Sequence, residues 1–118
     1  GSLAGMRFLN YLENEISIWP FDNINFKEQI IAEIFPTYYF RMAGVKPKKI
    51  IGYDLKQINI ALNFFESNDL NPKTKISGPD QDDADAIISS AALRHLSKND
   101  DLWNVPYVSK KEGWIFGV

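Results

Sequence analysis

Apolar residues open the chain at intervals of three, at Leu3, Met6, Leu9 and Leu12, which draws one face of a helix over residues 3–14. Ser2 stands where an N-cap would stand. The period then changes, and Ile16-Ser17-Ile18-Trp19 alternates as a short strand that stops at Pro20. Beyond the turn-forming Phe21-Asp22-Asn23, the run Gln29-Ile30-Ile31-Ala32-Glu33-Ile34-Phe35 is apolar but for Gln29 and Glu33, and Pro36 closes it. A short apolar run between breakers predicts a strand buried on both faces. Proline suits a first helical turn and glycine a C-terminal stop, so a helix is predicted over residues 36–43, closed by Gly44.

Lys46-Pro47-Lys48-Lys49 reads as a solvated connection. Asp54 is placed to cap a helix running to about residue 68, with Leu55, Ile58, Leu62 and Phe65 on its buried face. Residues 68–79 hold two prolines and a glycine and are expected to form a loop. The strongest helical signal follows over residues 80–98, opening with acidic residues that favour the positive end of the helix dipole. The tail carries two aromatic clusters, residues 103–107 and 114–116, separated by Lys110-Lys111-Glu112.

Composition narrows the function classes. With 118 residues the chain suits one domain with a single core. It has no cysteine, which excludes disulfides, thiolate metal sites and a cysteine nucleophile together. One histidine, His95, cannot by itself make a His-rich zinc site. No apolar run approaches the ~20 residues of a membrane helix, so no membrane partner and a cytoplasmic setting are expected. The net charge of -2 argues against a clamp that grips nucleic acid by charge alone. It leaves open an enzyme that meets phosphate through bound cations, which reverse the local sign.

Three features carry chemistry. Asp82 and Asp85 lie three apart at the start of the last long helix, so their carboxylates share one face and repel unless a cation or the helix N-terminus compensates. The plainer reading is that acidic residues simply favour a first turn, with Asp83 as the fallback if the helix is rotated. Glu33 interrupts an apolar strand, so it must stand exposed at an edge, be paired, or bind a cation. Alternation places it with Ile31 and Phe35 near the strand's C-terminal end, where open α/β sheets keep their ligands. Third, the Ala/Ser-rich run 84–93 would let a helix approach a sheet closely, and close packing alone would explain it. His95 reads as a partly buried or dipole-favoured histidine, Trp19, Trp103 and Trp114 as core, and Arg41 has no assigned role.

Asp82-x-x-Asp85-Ala86, opening an Ala/Ser-rich helix, resembles the last acidic motif of the RNase-H-like superfamily, notably of Holliday-junction resolvases. Ala32-Glu33-Ile34-Phe35-Pro36 resembles the strand bearing that superfamily's middle glutamate. The ending Glu112-Gly113-Trp114-Ile115-Phe116 is similar to that of a large bacterial and archaeal family of predicted RNase-H-like nucleases. In that family Trp19-Pro20-Phe21-Asp22 also has a place, before the glutamate strand.

The resemblance implies an α/β chain, the C-terminal portion of an RNase-H-like domain, acting as a metal-dependent nuclease on nucleic acid. Glu33, Asp82 and Asp85 would be its catalytic and metal-binding residues, holding Mg²⁺ or Mn²⁺ because hard oxygen ligands suit hard cations. The superfamily's first aspartate sits on an N-terminal antiparallel strand that has no counterpart here, so this chain alone is expected to be catalytically incomplete. A missing N-terminal segment, or self-association, would then cover the sheet edge. The alternative is a non-catalytic interaction module that keeps the fold.

Overall fold

A computed structural model describes residues 3–12, 16–24, 29–76, 82–106 and 109–118. It shows a mixed α/β chain with one small parallel sheet. The chain divides into two compact units, residues 1–34 with 101–118, and residues 35–100.

In the first unit, helix α1 spans Leu3–Leu12. The three-residue spacing did mark a helix, but its apolar side chains are not covered. Leu3, Met6, Phe8 and Tyr11 are all more than half exposed, and Leu9 is half-buried. The expected cap Ser2 and the Leu12 side chain lie outside the described residues. Strands β1 (Ser17–Ile18) and β2 (Ile30–Ile31) pair in parallel with Ser17 opposite Ile30 and Ile18 opposite Ile31. Ser17 N–H donates to Gln29 O at 3.1 Å and Trp19 N–H to Ile31 O at 2.9 Å. The chain then turns at Trp19–Pro20, a cis peptide, and Asp22 N–H returns to Ile18 O at 2.9 Å.

Strand β2 is much shorter than the seven-residue apolar run suggested, and its residues are half-buried rather than enclosed on both faces. Beyond Ile31 the run makes one more parallel bridge, Glu33 to Ile115, with Phe116 N–H donating to Glu33 O at 2.9 Å. Two strands of two residues cannot bury a face of their own. Aromatic packing does that work: Trp19 and Phe116 are buried with ring centroids 5.2 Å apart, and Trp103 lies 4.5 Å from Phe116. Trp19 Nε1 donates to Trp103 O at 3.1 Å, so the buried indole keeps its hydrogen bond. The tail also carries a 3-10 turn, Asp100–Trp103, and a one-turn helix α5, Ser109–Glu112, which hydrophobic periodicity could not show.

The second unit is helical. Helix α2, Pro36–Met42, starts on its proline and ends at Gly44, whose φ of 73° is the left-handed conformation glycine supplies without strain. Helix α3, Leu55–Phe64, is capped by Asp54 as expected, in a full capping box. Gln57 N–H donates to Asp54 Oδ1 at 2.8 Å, and Asp54 N–H donates to Gln57 Oε1 at 3.1 Å. The helix stops four residues short of the expected end because Glu66 turns left-handed, at φ 54°. Arg94 then takes up the carbonyls released there, donating to Phe65 O at 3.0 Å and Glu66 O at 2.7 Å.

Helix α4, Asp82–Leu96, buries Ala84, Ile88, Ser89, Ala91 and Ala92. Its small residues do permit a close approach, but the partners are helices α2 and α3 rather than a sheet. Residues 77–81, including the expected start at Asp80, lie outside the described residues. Phe65 closes this core from the end of α3, with its ring centroid 6.3 Å from Tyr39 and 6.0 Å from His95. Because Phe65 is fully buried, Phe65→Ala should cost roughly 3–5 kcal/mol through lost burial and the cavity left behind. Urea unfolding followed by helical circular dichroism measures this. A loss below ~1 kcal/mol would mean the three helices do not depend on that contact.

Candidate functional site

The first turn of α4 carries Asp82, Asp83 and Asp85. At 100° per residue, Ala84, Ile88, Ala91 and Ala92 form the buried arc, while Asp82, Asp85 and Ser89 fall on the flank beside it. The three residues differ in environment along that flank. Asp82 is exposed, Asp85 is half-buried, and Ser89 is buried with no hydrogen-bond partner for its hydroxyl. Asp83 turns back on its own helix, its Oδ1 accepting from Ala84 N–H at 2.9 Å.

Burial raises the Asp85 carboxyl above its ordinary value, and the negative charge of Asp82 raises it further. Tyr53 is the neighbour that sequence reading missed. It is held by a ring stack with Phe40 of α2, centroids 3.7 Å apart and 12° between planes. Its phenol is raised mainly by burial and then by the charge of Asp85, while Arg41 pulls it down. Tyr53 therefore lies within electrostatic reach of both Asp85 and Arg41. Arg41, in the last turn of α2, thus gains a place in the second unit's acidic region. No local pattern could have disclosed Tyr53, because a contact between residues 40 and 53 belongs to tertiary packing. Ser89 was legible, since it lies four residues after Asp85 on one face.

Glu33 belongs to the first unit, and Asp82 and Asp85 to the second. The Glu33 side chain is exposed and borders an open groove of about 340 Å³, lined also by Glu112, Gly113, Trp114, Ile115 and Val118. Among the described residues, no three or more His, Cys, Asp or Glu come together to hold a metal ion. Within the second unit what stands together is the Asp82–Asp85 pair. His95 sits ten residues after Asp85, roughly 15 Å along the helix. Its ring meets Phe65, and its Nδ1 lies 3.4 Å from Glu66 Oε2. The lysines of residues 46–49 are exposed, and Lys48 pairs with Asp54.

Opposite pH signatures follow for the two aspartates. Asp85 has a raised folded-state pKa, so its contribution is greatest below 3.8 and is lost as pH rises through the folded value. Asp54 is lowered by its hydrogen bonds from Lys48 and Gln57, so its contribution is present above 3.8 and lost as pH falls. Asp85→Asn should therefore be as stable as the parent or more so at pH 7, and should flatten the decline across the acidic range. Asp54→Asn should lose stability at pH 7. Melting curves from pH 3 to 7 compare them, and a clear destabilisation by Asp85→Asn at pH 7 would contradict the electrostatics.

Compared with protein-family models, with curated proteins and with solved structures, the chain shows no match to any of them.

Proposed function

We propose that this chain is the C-terminal portion of an RNase-H-like domain, contributing Asp82 and Asp85 to the divalent-cation site of a phosphodiester hydrolase. The observation that supports this is the half-buried Asp85, raised by burial and by Asp82, with the unpartnered Ser89 hydroxyl one turn along the same flank. Two repelling carboxylates, one of them partly desolvated, are unfavourable without a cation. An oxygen-only set of two carboxylates suits Mg²⁺ or Mn²⁺, which keep several waters and use one or two protein carboxylates. Such ions supply charge stabilisation to a phosphoryl centre during hydrolysis. The chain's own groups do the placing: Asp82 and Asp85 fix the cation, while the exposed Arg41 offers a fork of donors to phosphate oxygens. Nucleic acid is the substrate class this reading implies.

A second reading, a non-catalytic interaction module, has its own support in the exposed apolar side chains of α1, Leu3, Met6, Phe8 and Tyr11. Soluble proteins seldom leave such side chains grouped in water unless something binds them.

Metal-dependent melting separates the two. At an ion concentration tenfold above Kd, linkage gives roughly 1.4 kcal/mol, a rise of a few degrees for a domain of this size. Mg²⁺ or Mn²⁺ should produce that rise, and Asp85→Asn should abolish it. Glu33→Gln is the arm that tests the three-carboxylate set the resemblance implies. A melting curve indifferent to millimolar metal would leave the module reading in place. Robust cleavage by this chain alone would show a different ligand set from the one assigned.

A further inference from the structure

We propose that the outer edge of β2 is an interface at which a second copy of this chain pairs antiparallel, joining the two sheets about a two-fold axis through Ala32.

Backbone groups along residues 29–34 fall into two sets. In a strand, alternate residues send their N–H and C=O to the same side. Gln29 and Ile31 accept from β1, and Glu33 accepts from Phe116, so the odd-numbered positions serve the inner side. Ile30, Ala32 and Ile34 face the other way, and none of their backbone groups has a hydrogen-bond partner among the described residues. All three are half-buried, where an unsatisfied N–H or C=O is costly.

The outer edge of β1 is treated differently. Ile18 is the position that faces outward there, and its N–H donates to Asp22 Oδ2 at 2.7 Å while its C=O accepts from Asp22 N–H. A turn carrying Pro20 and a side-chain cap thus blunts that edge, the usual protection against strand addition. One edge is closed, while the other carries backbone groups without partners among the described residues.

Register and charge favour a second copy as the occupant. In antiparallel pairing centred on Ala32, Ile30 lies across from Ile34, and Ile31 across from Glu33. No carboxylate meets its own symmetry mate, and the small Ala32 side chain sits on the axis. The net charge of -2 is too small to oppose association. A two-fold arrangement uses the edge completely and leaves none for a third copy. This proposal is independent of the metal reading, since it uses main-chain groups of the first unit alone.

Ala32→Pro tests it directly. Proline removes the N–H that points to the partner and takes none from the contacts with β1 or Phe116, and edge positions tolerate it. Sedimentation velocity on the parent chain should show a reversible monomer–dimer equilibrium, and Ala32→Pro should be monomeric with its tryptophan fluorescence unchanged. Should the variant fail to fold, amide exchange on the parent chain decides: protection at Ile30, Ala32 and Ile34 should rise with protein concentration. A monomer up to about 1 mM, a dimer unaffected by Ala32→Pro, or edge amides indifferent to concentration would each overturn the proposal.

Discussion

Close packing of α4 against α2 and α3 governs everything in the second unit. Ala84, Ala91 and Ala92 have almost no side chain to hold the helices apart, and Ile88 fills the remaining depth. Beyond the exposed Asp82 at the helix end, residues on the flank of that buried arc are drawn partway out of water whatever their chemistry. Asp85 and Ser89 are the two polar residues so placed. The raised Asp85 carboxyl and the unpartnered Ser89 hydroxyl are thus consequences of how near α4 approaches its neighbours. A helix with larger residues at 84 and 91 would stand further off, and its first turn would be ordinary solvated acid.

The same unit shows how local chemistry can be finished by a distant residue. Asp54 starts α3 with a capping box that needs only residues 54–57. The other end of α3 relies on Arg94, which supplies donors to the carbonyls of Phe65 and Glu66 from 28 or 29 positions further along the chain. A guanidinium suits this task because it is always charged and carries several donors in a fixed plane. The hydrophobic pattern alone would have carried α3 on to about residue 68. Termination came from a left-handed Glu66 that tertiary hydrogen bonds sustain.

In the first unit the order of importance is reversed from what strand signals suggest. Two strands of two residues are too short to organise a core, and the aromatic group of Trp19, Trp103 and Phe116 takes that role. The sheet is correspondingly small, with the outer edge of β1 blunted by Asp22 and, among the described residues, no backbone partner for Ile30, Ala32 or Ile34 on the other side. Helix α1 likewise leaves Leu3, Met6, Phe8 and Tyr11 exposed rather than folded into that aromatic core.

Helix starts were legible in the sequence because they depend on neighbours within four residues: Pro36 at a first turn, Asp54 with Gln57, and the acids opening α4. Gly44 was legible for the same reason, since a left-handed turn is a local demand. The pairing of Asp82 with Asp85 followed from helical period alone, and Ser89 could have been added by the same rule. Strand length, the partners of the small-residue helix and the company of Tyr53 and Arg41 were not legible. Each is a contact between segments far apart in the chain, and burial of a given side chain is set by what arrives from elsewhere. Residue spacing could therefore say which carboxylates face the same way, while only tertiary packing decided how much water each of them keeps.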